Sequence, residues 1–202
     1  MNLSNSQKKI VSNVAWSLGG KAVNMASALF VGILIARYLG PESYGLMNYV
    51  ISYVAIFSII ATFGMDNIEI RELSRQNDKK DAIMGTCFCL RMFFATIAYI
   101  VIAISLFYFQ TDKFTSLMVL AYGLTLFTGT GNLLRNYFTS IVQNKYIVKS
   151  EMYRTFVGAG IKILLLWIKA PLEYFIYAQI FDTALVASGY YLSYKSLSLI
   201  HI

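Results

Sequence analysis

The stretch VAWSLGGKAVNMASALFVGILIA, residues 14–36, carries one charged side chain, Lys21, in twenty-three positions. As a helix rising 1.5 Å per residue it is about 35 Å long, enough to cross a hydrocarbon core of ~30 Å. Lys8 and Lys9 precede it as basic residues precede a secretory signal. A signal core is only about 7–15 residues long, however, and this run has no A-x-A-like cleavage site, so it reads as a retained first span.

Five further runs follow, at residues 46–65, 82–109, 117–143, 151–168 and 172–192. Segments of this length satisfy their backbone groups internally as helices, whereas barrel strands would be about 10 residues with strict alternation. The expected fold is an all-α integral membrane protein, a single bundle of six transmembrane helices over residues 1–202. Composition agrees, with 57% hydrophobic and 13% charged residues against roughly 45–50% and about 25% in soluble domains. Gly40-Pro41 ends the first span and Lys169-Ala170-Pro171 separates the fifth from the sixth, since proline cannot continue a helix. Residues 66–81 and 144–154 read as the longer, charged connections.

The net charge of +7 is scattered between apolar runs instead of gathered on one surface, which argues against nucleic acid. Cys87 and Cys89 lie in an apolar segment without a nearby histidine to complete a metal set, and read as buried thiols. His201 is the only histidine, so no metal and no cofactor is expected. Ten of the Lys and Arg residues between the spans fall on one side and three, Arg37, Lys113 and Lys169, on the other. Because cytoplasmic loops are enriched in Lys and Arg, both termini are expected in the cytoplasm and the protein in the cell membrane.

The other four of the 17 basic residues, Lys21, Arg91, Arg135 and Lys162, fall inside the spans. A charge at the middle of a spanning helix costs ~2.5–3.5 kcal/mol, so such residues face a partner or a water-filled cavity. Helical spacing groups them with polar neighbours: Thr125, Thr128, Asn132, Arg135 and Thr139 share a face in span four, Ser17, Lys21 and Asn24 in span one, Thr155, Gly158 and Lys162 in span five, and Gln179 and Asp182 in span six. Small and hydroxylated residues on such faces also serve as plain helix contacts, and Lys21 can snorkel to the surface. Asp182 is the one well-buried anion in this reading and can neutralise one cation, which leaves a positive cavity. That cavity suits an anionic, phosphate-bearing substrate, for which Arg offers a bidentate fork and Lys a compact charge. The candidate cavity residues are Arg135, Arg91, Lys162, Lys21, Asn132 and Asp182.

The segment Ala36-Arg37-Tyr38-Leu39-Gly40-Pro41-Glu42-Ser43-Tyr44-Gly45 resembles the A-R-x-L-G-P-x-x-Y-G signature of Wzx-type polysaccharide flippases for O-antigen, within the multidrug/oligosaccharidyl-lipid/polysaccharide exporter (MOP) superfamily. Phe63-Gly64 followed by Ile70-Arg71, and Gln143-Asn144-Lys145-Tyr146, are similar to further family features. The resemblance implies translocation of undecaprenyl-pyrophosphate-linked oligosaccharide repeat units across the cytoplasmic membrane, with a Na+ or H+ coupling ion unspecified. It matches the N-terminal half of a transporter of 12–14 spans, so the missing C-terminal half or another protomer is the implied partner. The ending Ser198-Leu199-Ile200-His201-Ile202 favours a fragment or truncated frame over a dimerising half-transporter. The signature itself, a helix stop and a turn, reads as architectural. The competing classes are a membrane-embedded glycan-processing enzyme, disfavoured by short external connections with few acids, a scaffold subunit, which leaves the buried cations unexplained, and a multidrug exporter, which would favour acidic cavity residues.

Overall fold

The computed structural model describes residues 5–75, 79–109 and 112–200, with side chains from 18 to 197. The described elements are all helical. The first, α1 (Asn5–Thr62), contains 58 residues and bends at Gly40, whose φ of 72° and ψ of 173° lie in a region essentially restricted to glycine. Pro41 cannot donate a helical hydrogen bond across the bend. The apolar part, Leu18–Thr62, would be about 67 Å long if straight, more than twice a bilayer core. The bend divides it into two arms of bilayer length. The Tyr38 hydroxyl donates to the carbonyl of Ala170 at 3.1 Å and pins this corner to the turn between the last two helices. The signature segment therefore builds the corner.

After Phe63 and Gly64, both at positive φ, the chain forms α2 (Met65–Arg75). Sequence patterning assigns residues 66–81 to a connection; the structure puts an amphipathic helix there, with Met65, Glu69 and Leu73 buried at four-residue spacing. Next come α3 (Lys80–Tyr108) and α4 (Lys113–Gly123), the latter capped by Asp112, whose carboxylate accepts from the Thr115 N–H at 2.9 Å. From there the chain runs through α5 (Thr125–Thr128) and a 3-10 turn, Gly129–Gly131, into α6 (Asn132–Ser140). Thr125, Thr128 and Thr130 each donate to the carbonyl three residues back, the side-chain bonding that loosens and bends helices. Gly131 is required by packing, because a β-carbon there would sit 2.8 Å from the Cβ of Ala187.

The last two helices are α7 (Asn144–Trp167) and α8 (Leu172–Ile200). Residues 144–154, assigned to a connection from the sequence, are the first turns of α7. Both α6 and α7 end without glycine: Val142 and Lys169 adopt positive φ of 56° and 54°, and the next N–H reaches back to Phe138 and Leu165 respectively, a Schellman ending.

Among the described residues three stretches, Leu18–Thr62, Lys80–Tyr108 and Lys113–Ser140, are long and apolar enough to cross a membrane. The length of α7 would suffice, but Glu151, Arg154 and Lys162 interrupt it, as Gln179 and Asp182 interrupt α8. These are the residues that meet in the interior. Outside, the bundle is apolar, with Phe107 88% and Trp167 85% exposed along with Leu29, Phe93, Ile104 and many others. Its accessible surface is 12440 Å², where a compact soluble monomer of 22.8 kDa would have about 9,600 Å². Such a surface belongs in lipid. Cys89 is on it, exposed, and Cys87 is half-buried, so the expectation of two buried thiols is corrected.

Two apolar cores hold the helices. The larger joins α1, α3, α4, α7 and α8 around Val50, Ile102, Val119, Phe175 and Ile176, and the smaller joins α2, α6, α7 and α8 around Leu73, Phe138, Ile147 and Tyr190.

Candidate functional site

A cleft of about 290 Å³ opens between the two arms of α1, α7 and α8. Its polar wall comes from Asn24, Tyr44 and Asn48 on α1, Arg154, Thr155 and Lys162 on α7, and Gln179 and Asp182 on α8. At its centre the Lys162 ammonium donates to Asp182 Oδ2 at 2.5 Å and to Gln179 Oε1 at 3.3 Å. The other carboxylate oxygen, Oδ1, is buried without a hydrogen-bond partner among the described residues. Gly158 lies directly against this carboxylate, so that any β-carbon there would strike it. Arg154, Gly158 and Lys162 repeat every four residues and share one face of α7, with about 12 Å of helix rise between the two cations.

Toward the start of α7 the cleft wall merges into a polar junction. The Thr155 hydroxyl faces Asn24 Oδ1 and the carbonyl of Glu151, and Asn24 Nδ2 reaches Glu151 Oε2 at 3.4 Å. Glu151 also accepts from the Tyr190 hydroxyl at 3.2 Å and pairs with Arg135 at 3.7 Å. Four elements, α1, α6, α7 and α8, thus converge on one carboxylate.

A second cleft of about 290 Å³ lies on the other side of Ile51, walled by Ser58, Thr62, Tyr122, Thr125, Asn132 and Thr183. Arg91 reaches its margin, but the guanidinium points elsewhere. Nε donates to Glu69 Oε1 at 2.6 Å, and Nη2 donates to Glu69 Oε2 at 2.8 Å and Asp66 Oδ1 at 2.5 Å. The Asn136 amide donates to Asp66 Oδ1 at 2.9 Å and to Glu69 Oε2 at 2.7 Å. Burial pushes the Asp66 carboxyl upward, but hydrogen bonds from Arg91 and Asn136 and the charges of Arg91 and Arg135 outweigh it, so Asp66 titrates below its usual value. The cluster clamps α2 onto α3 and α6.

Of the six candidate residues, Lys162 and Asp182 meet in the first cleft, while Asn132 and the margin of Arg91 belong to the second. Arg135, with its side chain 47% exposed, pairs with Glu151 and lines neither cleft. Lys21 is exposed on α1, one turn before Asn24. Sequence patterning passed over Arg154, Glu69, Asn136 and Glu151. The four-residue spacing Arg154-Gly158-Lys162 was a usable signal for the first, and Met65-Glu69-Leu73 for the second. Asn136 had none, because it follows Arg135 by one residue, and one residue turns a helix by about 100°.

An all-helical bundle with an apolar exterior and charged clefts inside defines a multi-pass membrane protein. Its profile of residues agrees with one family. Residues 10–199 match the polysaccharide biosynthesis protein family, and the chain belongs to it, with a role in polysaccharide synthesis or export. No curated protein and no solved structure gives a significant match.

Proposed function

We propose that the chain forms one bundle of a Wzx-type flippase of the MOP superfamily, which moves undecaprenyl-pyrophosphate-linked oligosaccharide repeat units across the cytoplasmic membrane. The observation that carries this is the Lys162–Asp182 pair beside a polar cleft inside an apolar bundle, in a chain of the polysaccharide biosynthesis family. Lipid covers the outside, the prenyl tail stays in lipid, and the polar headgroup needs a wet path across the membrane. A cleft whose wall carries Arg154 and Lys162 on one helix face offers cations to a pyrophosphate along that path. The activity is transport, not catalysis.

In this reading six spans arise from the two arms of α1, α3, the α4 to α6 run, α7 and α8, with both termini in the cytoplasm as the ten-to-three basic distribution suggests. A second bundle supplies the opposite wall, since alternating access needs two bodies that rock about a shared site. The coupling ion is H+ or Na+. The test is Lys162→Gln in the complete transporter, in a cell with no other flippase. Export of surface glycan should fall while lipid-linked precursor accumulates on the inner leaflet and protein level stays normal. Unchanged export at equal protein level would overturn the assignment. The 202-residue chain alone should restore none.

A further inference from the structure

We infer that Asp182 is an internal stand-in for the substrate anion: a phosphate entering the cleft displaces it from Lys162, and the released carboxylate takes up one proton. The inference rests on the proposed flippase reading and adds to it a proton bound together with the anion.

The geometry of the pair carries it. Among the described residues Lys162 has one anionic partner, Asp182 Oδ2 at 2.5 Å, with the neutral Gln179 oxygen beside it at 3.3 Å. Both side chains retain some exposure, 13% and 11%, on the cleft that they line. A ligand can therefore reach the ammonium without unfolding anything. Asp182 depends on Lys162 more than Lys162 depends on it. Its Oδ1 is already buried and has no hydrogen-bond partner among the described residues, hemmed against Gly158. Loss of the Oδ2 bond would leave a carboxylate with no counter-charge in a low-dielectric wall, and such a group neutralises itself by protonation.

The charges around Asp182 agree with this outcome. From α7 it faces Lys162 and, farther along the cleft, Arg154; the one titratable group that α1 gives the cleft lining is the phenol of Tyr44, beside the neutral Asn24 and Asn48; from α4 Tyr122 lies within electrostatic range; its own helix adds the neutral Gln179. Once an anion has engaged Lys162, and Arg154 with it, no further cation among the described residues that line the cleft is left for Asp182. A buffer acid in bulk solution gives up the proton, which reaches the carboxylate through water in the open cleft and forms the O–H bond there; the conjugate base stays in solution, and the proton offsets one of the negative charges that the anion brings in. A cleft of about 290 Å³, just under the ~300–1,000 Å³ range of ligand pockets, has room for a diphosphate headgroup.

The experiment is titration calorimetry of the purified chain in lipid nanodiscs with inorganic pyrophosphate at pH 6, in buffers of different ionisation heat. Wild type is compared with Asp182→Asn and Lys162→Gln. Pyrophosphate's own protonation is common to all, so the quantity read is the difference in proton uptake. Wild type should take up about one more proton per anion than Asp182→Asn. Asp182→Asn, freed of the competing carboxylate, should bind roughly tenfold tighter, and Lys162→Gln at least roughly tenfold weaker. Equal proton uptake in wild type and Asp182→Asn, equal affinity, or no binding to either would overturn the exchange. Tighter binding of a short polyprenyl diphosphate than of inorganic pyrophosphate would assign the anion to a lipid headgroup, and the reverse order would overturn that assignment. Such calorimetric failures would leave the flippase reading standing if Lys162→Gln still blocks export in cells, whereas unchanged export would remove the reading itself.

Discussion

Arg91 and Lys162 are both cations held by carboxylates inside the bundle, and they are held in opposite ways. Arg91 is 2% exposed and spends its donors on two carboxylates, which also accept from Asn136. Lys162 shares a single carboxylate with a cleft, and half of that carboxylate is unsatisfied. A closed network fixes geometry, while a half-satisfied one beside a cavity can trade partners at small cost. The same residue class, buried and basic, therefore does two jobs. Arg91 fastens the amphipathic α2 to the bundle, and Lys162 waits in the cleft.

The largest effect should come from breaking the closed side. Arg91→Ala leaves Glu69, 1% exposed, with an uncompensated charge, and should cost about 3–5 kcal/mol. Thermal unfolding in detergent, with protease access to α2, would show it, and unchanged stability would erase the distinction between the two sites. Gly158→Ala should come next. Its methyl group would collide with the Asp182 carboxylate, so the helices must shift at about 1–3 kcal/mol of overpacking and the Lys162 pair should part, visible as a lowered melting temperature.

The open side should behave differently when both partners go together. Lys162→Met with Asp182→Asn removes charge from both members, and replacing a buried pair by neutral groups is often close to neutral. Stability within about 1 kcal/mol of wild type, with export abolished, would sharpen the contrast; a loss as large as that of Arg91→Ala would dissolve it. Arg135→Ala tests a residue outside both clefts. Its pair with Glu151 is half exposed, so stability should change by less than about 1 kcal/mol, and membrane insertion should be intact. Because Arg135 lines neither cleft, export by the complete transporter should stay near wild type at equal protein level, and a loss that Arg135→Lys restores would put Arg135 in the substrate path.

The smallest effect concerns pH. Asp66 titrates below its ordinary 3.8 in the folded chain, so its contribution to α2 docking is complete above that value and is lost as pH falls through the lower folded value. Protection factors of α2 amides, which correct exchange for its intrinsic pH dependence, should fall only in that acid window and stay flat from pH 5 to 8. A fall near neutrality would mean that another group holds the helix.

The lipid-facing nature of the chain, the breaks at Gly40-Pro41 and at Lys169-Ala170-Pro171, and the presence of charges within apolar runs were legible from residue order, because hydropathy and backbone preference are local properties. Helix-face arithmetic even placed Lys162 and Asp182 on polar stripes of their own helices. It could not say that these stripes face each other, that Arg91 finds Asp66 and Glu69 on a helix read as a loop, or that Arg135 turns outward to Glu151 while Asn136 turns in. Those outcomes depend on the rotation of each helix against its neighbours. Side-chain shape at the contacts sets that rotation, as where Gly131 lets Ala187 close in and Gly158 makes room for a carboxylate. Excess positive charge, inferred by counting four cations against Asp182, shrank on folding: Lys162 took Asp182, and carboxylates in α2 and at the start of α7 came within hydrogen-bonding reach of Arg91 and pairing distance of Arg135, while Lys21 lies exposed on α1. Distance in space decides which charges cancel, and only packing sets that distance.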